Sequence, residues 1–425
     1  MRLLHNRNYF PLQTSPDDDE YEKLENSTKR IIRQRYWHQK RNFQLGIMRI
    51  AFWFTVALCV SGILYTWFER WNPNPETICD LSDFNNTVQM RKFISQGLYL
   101  TPKILVWNGF FSSNLKDRLD RDMLDCRELC YITDRRQCIN TFDAVVFHIR
   151  NLDLSDLPHQ RFPKQFYVFY SLESPPNSGS AAGRIQSKFF NLTMTYKRDS
   201  DVWTPYDSFE EITNATQTEV MNSWDKVRSL VLSKTKSVLV LRSNCRSKSN
   251  REVIIEKLKK YIAISDYGKC SGRECDDNCE MKQIRQHRFY LAFENSICKE
   301  YVTEKAFRMK KLIVPVVLKR SIVANILPNG SYIAVDDFQS VQSLGRYLKK
   351  LEGDEEAYLR YFQWTKRFEV SRMSKDISAG CSLCRFLYHV GKKTKLVRDI
   401  RKWWFSDDAC DSNFVNHYLE RITKE

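Results

Sequence analysis

Apolar residues along the chain fall into two kinds of run. The first occurs once: from Ile50 to Phe68 nineteen consecutive residues (IAFWFTVALCVSGILYTWF) carry no charge. At ~1.5 Å per residue a helix of that length covers about 28 Å, the hydrocarbon core of a bilayer. Phe, Trp, Leu and Val occupy every face of it, which predicts a spanning helix rather than an amphipathic one, and Tyr65, Trp67 and Trp71 sit where an interfacial belt lies. The second kind is short and β-rich: KILVWNGF, FDAVVFHI, FYVFYSLE, SVLVLRSN, RFYLAFEN and LIVPVVL. Polar stretches with helical spacing, such as Arg251 to Ile262 and Val341 to Leu351, separate these runs. Strands alternating with helices predict parallel sheets. Their spread over about 300 residues predicts two in tandem, parted near Asn222 to Lys236.

Composition adds little to this and excludes much. With 425 residues, 42% hydrophobic and 28% charged, the chain is neither a short binding module, a disordered polymer nor a polytopic membrane protein. Its net charge of +16 admits anionic partners without choosing among them. The placement of charge is more telling. Seven basic residues and no acid lie between Lys29 and Arg49, whereas Glu69 to Val88 holds one basic residue, Arg70, so the N-terminus is expected in the cytosol and the remainder across the membrane. Sequons at Asn85, Asn191, Asn214 and Asn329, and twelve of thirteen cysteines, lie beyond the anchor, as expected of a lumenal ectodomain; that location disfavours nucleic acid as a partner. The expected organisation is a cytosolic tail (1–49), an anchor (50–68), a stem (69–101), two sheet domains (102–230 and 231–375) and a C-terminal cysteine-containing segment (376–425).

Ligands of doubly wound sheets bind beyond the carboxyl ends of the strands. Four places follow the apolar runs directly: Glu173 before Ser174-Pro175-Pro176, Ser243-Asn244-Cys245, Glu294-Asn295-Ser296, and Lys319-Arg320. Each also makes sense as a cap or a tight turn. A carboxylate, amides and cations gathered in one cleft suit a sugar phosphate.

From Phe289 to Leu318 the string FYLAFENSICKEYVTEKAFRMKKLIVPVVL closely resembles the donor-site signature of the α1,3-fucosyltransferases, FxLxFENS followed by YVTEK and VPVV. SLESPPN, FFNLTMTYKRDSDVWTPY, SNCRSKSNR and SYIAVDDF resemble the same family in the same order. The resemblance implies a type II Golgi membrane enzyme of GT-B architecture, two facing Rossmann-like domains with the acceptor side first. It implies inverting transfer from GDP-β-L-fucose to the 3-hydroxyl of N-acetylglucosamine in a glycan. It further implies Glu173 as general base, with Asn244, Arg251, Asn295, Tyr301, Glu304 and Lys305 at the donor, Arg251 and Lys305 carrying the phosphate charge. No essential metal is implied, and Mn2+ or Mg2+ is expected at most to stimulate turnover; Asp199-Ser200-Asp201, which mimics a metal-binding DxD, is expected instead to pair with Arg198. Met309, Lys310, Lys311 and Lys319-Arg320 depart from the usual pattern, and these cations are expected either to tighten the hold on phosphate or to alter the acceptor. Cys270, Cys275, Cys279 and Cys298 are drawn more naturally as disulfides than as a zinc site, and Cys381 and Cys384 as a staple. The competing function is a non-catalytic lumenal glycan- or nucleotide-binding ectodomain of the same fold. The acceptor glycan, whether core or antennary, and the oligomeric state stay open.

Overall fold

The computed structural model describes residues 101–124, 126–213, 215, 217–370, 377–389 and 399–423, all within one compact unit, Cys79–Glu425. The proposed anchor, tail and stem, with Asn85, lie outside these residues, as does Asn214; among the described residues no helix is long and apolar enough to cross a membrane.

Two parallel sheets organise the chain. The first has six strands in the order β2-β1-β3-β4-β5-β6: β1 Lys103–Val106, β2 Tyr131–Thr133, β3 Ala144–His148, β4 Phe166–Ser171, β5 Leu192–Thr195 and β6 Val202–Trp203. The second has five in the order β11-β10-β9-β7-β8: β7 Lys236–Leu241, β8 Ile264–Tyr267, β9 His287–Leu291, β10 Val314–Val317 and β11 Ile333–Ala334. Alternation along each strand divides the core. In β7, Val238 and Val240 pack on one face and Leu239 on the other; in β4, Val168 and Tyr170 oppose Tyr167 and Phe169. Both faces are covered, which explains why these strands read as continuous apolar runs. In both sheets the strand order reverses direction, between β1 and β3 in the first and between β7 and β9 in the second, and a crevice opens at each such point.

The sheets part between Trp203, where β6 ends, and Lys236, where β7 begins, an interval that takes in the segment Asn222 to Lys236. That segment belongs largely to helix α2 (Gln217–Leu232), which follows α1 (Leu115–Asp122) in the described chain. Val227 and Val231 of α2 lie in the core of the second sheet. Next come α3 (Arg251–Leu258), α4 (Asp277–Gln286), α5 (Glu304–Phe307), α6 (Arg320–Val323), α7 (Val341–Gly353) and α8 (Glu355–Arg360).

The C-terminal segment returns to both sheets. Helix α9 (Ala379–His389) lies on α1, where Gly380 permits contact that a side chain would forbid: a Cβ there would stand 2.5 Å from the Leu119 carbonyl oxygen. Helix α10 (Ile400–Trp404) buries Trp404 in the other face of the first sheet, and α11 (Phe414–Thr423) lays Phe414, Val415 and Tyr418 on the second. Disulfides fasten this return. Cys381 and Cys384 do not bridge each other but join Cys126 and Cys130, and Cys410 joins Cys298; Cys245–Cys270 and Cys275–Cys279 close local loops.

Candidate active site

The two sheets meet where the loop after β4 touches the loop after β9. Ser174 Oγ donates to Ser296 Oγ at 2.9 Å, and the Asn177 amide nitrogen donates to both hydroxyl oxygens, at 3.1 and 3.0 Å. Ser174 and Ser296 are buried. Two prolines after Ser174 begin a short 3-10 turn, Pro175–Asn177, which fixes the direction in which the preceding residue leaves the strand.

That residue is Glu173. Its half-buried carboxylate receives no hydrogen bond from any described residue. Burial pushes its pKa above the ordinary value of 4.5; Lys305 and Arg150 pull it down, while Glu304 and Glu294 push it up. Glu173 therefore shares its electrostatic environment with the loop of the other sheet.

Across the cleft, Thr303 caps α5, its hydroxyl accepting from the Lys305 backbone N–H. The same hydroxyl donates to Glu294, whose carboxylate also accepts the Thr303 N–H at 2.8 Å. Three oxygens surround the Lys305 ammonium: Thr303 Oγ1 at 2.8 Å, Glu304 Oε1 at 3.1 Å and Glu294 Oε2 at 3.2 Å. Burial alone would lower the lysine pKa, but the Glu294 and Glu304 carboxylates outweigh it and raise it. Burial raises the Glu294 pKa in spite of Lys305. For Glu304, burial is outweighed by Lys305 and Arg308, and its pKa falls. Lys305 is thus a fixed cation, and Glu304, with 55% of its side chain exposed, is the partner it holds least deeply.

At the crevice between β7 and β9, Arg251 opens α3 and is buried. Its terminal nitrogens donate to the carbonyls of Phe293 (2.5 Å) and Asn244 (3.2 Å), clamping together the two loops that rim the crevice. Its Nε and the side-chain oxygen of Asn295 are buried without a hydrogen-bond partner among the described residues. Unpaired polar atoms of this kind cost free energy, so a crevice that concentrates a donor and an acceptor is suited to a polar ligand. On the first sheet's side, Arg150, Asp153, Gly179 and Arg184 line a cavity of about 360 Å3 beside the Glu173 loop.

The description "Fucosyltransferase, N-terminal" matches residues 100–207, and "Glycosyltransferase family 10 (fucosyltransferase) C-term" matches residues 231–403. α-(1,3)-Fucosyltransferase C of Drosophila melanogaster is 34% identical over 346 residues, covering 73% of this chain and 80% of that protein. The chain belongs to the α1,3-fucosyltransferase family. A second relative, 4-galactosyl-N-acetylglucosaminide 3-α-L-fucosyltransferase 9 of Bos taurus, is 33% identical and covers 76% of this chain and 88% of its own length. A crystal structure of an α1,3-fucosyltransferase with GDP covers 70% of this chain and 93% of its own, with 16% identity and a TM-score of 0.46.

In this fucosyltransferase several expected residues occupy other positions. Tyr301 is fully buried, its ring 5.1 Å from Tyr196 and 6.4 Å from Tyr206, so it packs the seam between the sheets. The extra cations already have partners: Lys310 pairs with Asp207 at 2.9 Å, Lys311 with Glu280 at 2.7 Å, Lys319 with Asp411 at 2.8 Å and Arg320 with Asp337. Each is thus engaged in an ion pair within the fold. Asp199 accepts from the Trp403 indole at 2.8 Å and Asp201 from the Thr193 backbone at 3.0 Å; Arg198 lies over Trp203 and donates to the Asn325 carbonyl. The amide of Asn191 engages the sheet, accepting from the Tyr167 N–H and donating to the Gln165 carbonyl. Asn329 is exposed in the turn at Gly330. Sequence reasoning did not single out Thr303 as the hub of the Lys305 cluster, and nothing in the order of residues pointed to the Ser174–Asn177–Ser296 junction, whose partners lie more than a hundred positions apart.

Proposed function

We propose that this chain transfers L-fucose from GDP-β-L-fucose, with inversion, to the 3-hydroxyl of an N-acetylglucosamine residue in a glycoprotein or glycolipid glycan, the two sheets acting as the facing halves of a GT-B enzyme. The observation that carries this reading is the Glu173 carboxylate: half-buried, without a hydrogen bond from any described residue, and within electrostatic reach of the Lys305–Glu294–Glu304 cluster. In one displacement, Glu173 takes the proton of the acceptor hydroxyl while that oxygen bonds to the anomeric carbon. The bond from that carbon to the diphosphate breaks, and its electron pair leaves with GDP. Its raised pKa makes Glu173 a better base than an exposed glutamate, and Lys305 meets the charge that accumulates on the diphosphate.

For Lys305 to face a phosphate, one of its three oxygens must yield. Glu304 is the most exposed of them, so donor binding releases it to accept hydrogen bonds from fucose hydroxyls. Arg251 contributes chiefly by holding the Asn244 and Phe293 loops, with its Nε and Asn295 left for the nucleotide. Divalent cations are stimulatory rather than essential in this scheme. Five disulfides among the described residues support a Golgi-lumenal catalytic part behind a single type II anchor at 50–68.

Replacement of Glu173 by Gln in the full-length chain tests the proposal. Turnover of GDP-fucose onto a β-linked N-acetylglucosaminide should fall by about 10²–10⁴-fold, with GDP affinity kept. The acid limb of the wild-type pH profile should be displaced upward from that of an ordinary exposed glutamate, because activity needs the ionised form of a group whose pKa is raised. Wild-type turnover in Glu173→Gln would remove the base; a binding-only ectodomain would release no GDP at all.

A further inference from the structure

The loop after β5, just ahead of Asp199-Ser200-Asp201, takes no part in the chemistry above, yet it meets the segment 298–305 that leads into the Lys305 cluster. The backbone N–H of Arg198 donates to Glu300 Oε2 at 2.8 Å. Beside this bond the buried rings of Tyr196 and Tyr301 lie 5.1 Å apart. Arg198 Nη2 makes a second crossing to the other sheet's loops, to the Asn325 carbonyl at 2.9 Å just beyond α6.

The backbone at Glu300 is unusual. Its φ is +61°, in the left-handed region where a side chain crowds the following carbonyl and only glycine sits without cost. The chain is fastened on both sides of this residue. Cys298 is bridged to Cys410, and the Lys299 N–H donates to the Ala409 carbonyl at 2.8 Å. The Tyr301 N–H donates to the Cys298 carbonyl at 3.1 Å, and the Val302 N–H to the Glu300 carbonyl at 3.0 Å. A sharp turn is thus made at Glu300, and Glu304 and Lys305 follow four and five residues on. Glycine would make the same turn unstrained, but it has no carboxylate with which to reach Arg198. A strained conformation kept together with a contact of this kind points to a role for the contact.

That role follows from where the reacting groups lie. Glu173 leaves the first sheet and Lys305 belongs to the second, and a single displacement needs both at one anomeric carbon. Lys305 is oriented locally by Thr303 and Glu294, and Glu173 by the proline turn after it. What these local contacts do not set is the register of one half against the other. The Ser174–Ser296 junction fixes it beside Glu173; the Arg198–Glu300 bond fixes it on the way to Lys305. We propose that Glu300 is a positioning residue: its carboxylate holds the turn that carries Glu304 and Lys305 in register with the first sheet, so that base and phosphate cation act on one donor molecule. The proposal rests on the transferase reading for its chemistry.

The full-length chain is compared with Glu300→Ala, which keeps the strain and loses the tie, Glu300→Gly, which loses both, and Glu300→Gln, which retains an oxygen for the Arg198 N–H. Alanine and glycine should each lower kcat by about three- to tenfold, with GDP affinity by calorimetry unchanged because Lys305 keeps its local partners; glutamine should retain most of the wild-type kcat. In the alanine and glycine variants the acid limb of the pH profile should move down toward that of an exposed glutamate, since a looser seam hydrates Glu173, whose pKa is raised first by burial. Relief of the backbone should make Glu300→Gly melt about 2 °C above Glu300→Ala although it is just as slow, so that rate and stability part company. Exchange of the Arg198 amide hydrogen should quicken in both and stay slow in Glu300→Gln. Wild-type kcat in Glu300→Ala, a loss of GDP affinity equal to the loss of kcat, an unmoved acid limb, or a glutamine variant as slow as alanine would each overturn the assignment. Were the wild type to transfer no fucose, amide exchange would decide: protection lost in alanine and kept in glutamine keeps the tie between the halves and sinks the transferase, and protection unchanged in alanine sinks both.

Discussion

Substitution of Glu304 by Gln separates two functions that one carboxylate combines. In the unliganded cleft Glu304 Oε1 lies 3.1 Å from the Lys305 ammonium and 3.9 Å from Arg308. A pair at 3.1 Å is worth about 1.3 kcal/mol in a water-like dielectric and about four times that in a typical protein-surface one. With 55% of the Glu304 side chain exposed, the lower value is the better guide, and side-chain ordering reduces it to ~1 kcal/mol. A donor phosphate competing for Lys305 must displace this interaction, so removing the charge should tighten GDP binding by about fivefold. The same change replaces a charged acceptor of fucose hydroxyls with a neutral one, at a cost of about 1.5–3 kcal/mol, so kcat/KM for GDP-fucose should drop by roughly 10–150-fold. Calorimetric titration with GDP, together with initial rates on GDP-fucose, measures both numbers on one preparation. Weaker GDP binding in Glu304→Gln, or full turnover of GDP-fucose, would refute the exchange of partners at Lys305.

Two further outcomes concern stability. The bridges Cys126–Cys381 and Cys130–Cys384 each span more than 250 residues yet lie side by side, so with one intact the other closes a ring of only about nine residues; losing Cys384 alone should cost ~2.5 kcal/mol and losing both bridges ~8 kcal/mol, read as a non-additive drop in urea midpoint, and additive losses would count against this. Glu280 is bound by Arg308 and Lys311, which outweigh its burial and bring its pKa from 4.5 down to about 2. A depressed carboxylate stabilises the fold above its unfolded pKa and ceases to as pH falls from 4.5 toward 2, so Glu280→Gln should cost about 3 kcal/mol at neutral pH and progressively less by about pH 3. A penalty independent of pH would show that the ion pairs are not its source.

The strands that the sequence announces are those buried on both faces. KILV, AVVFH, FYVFYS, KSVLVL, HRFYL and VPVV are central to their sheets and nearly all apolar. Strands passed over are short or carry charge. β6 has two residues, β2 has three, and β8 (ISDY) places Asp266 in the strand, where Arg242 at 2.6 Å and Lys259 at 3.1 Å compensate it. Periodicity registers average burial and misses a paired charge. Glu173, Glu304 and Lys305 were legible because strand ends concentrate chemistry and because long strings resemble a known family. The fate of Lys310, Lys311, Lys319 and Arg320 was not, since whether a cation has a neutralising neighbour depends on residues about 17 to 103 positions away.

The return of the last helices onto both sheets has a consequence for how the molecule can be divided. A polypeptide ending before residue 377 would lack Trp404, whose indole fills the first sheet's core and donates to Ser178 Oγ at 3.1 Å, and also the Phe414–Tyr418 cover of the second. Neither half is a detachable cassette, for each borrows its finishing layer from the far end of the gene. Recombination between relatives at the junction of the halves would have to exchange those helices as well, and a ribosome must translate as far as Trp404 for the first half and Tyr418 for the second before each can settle.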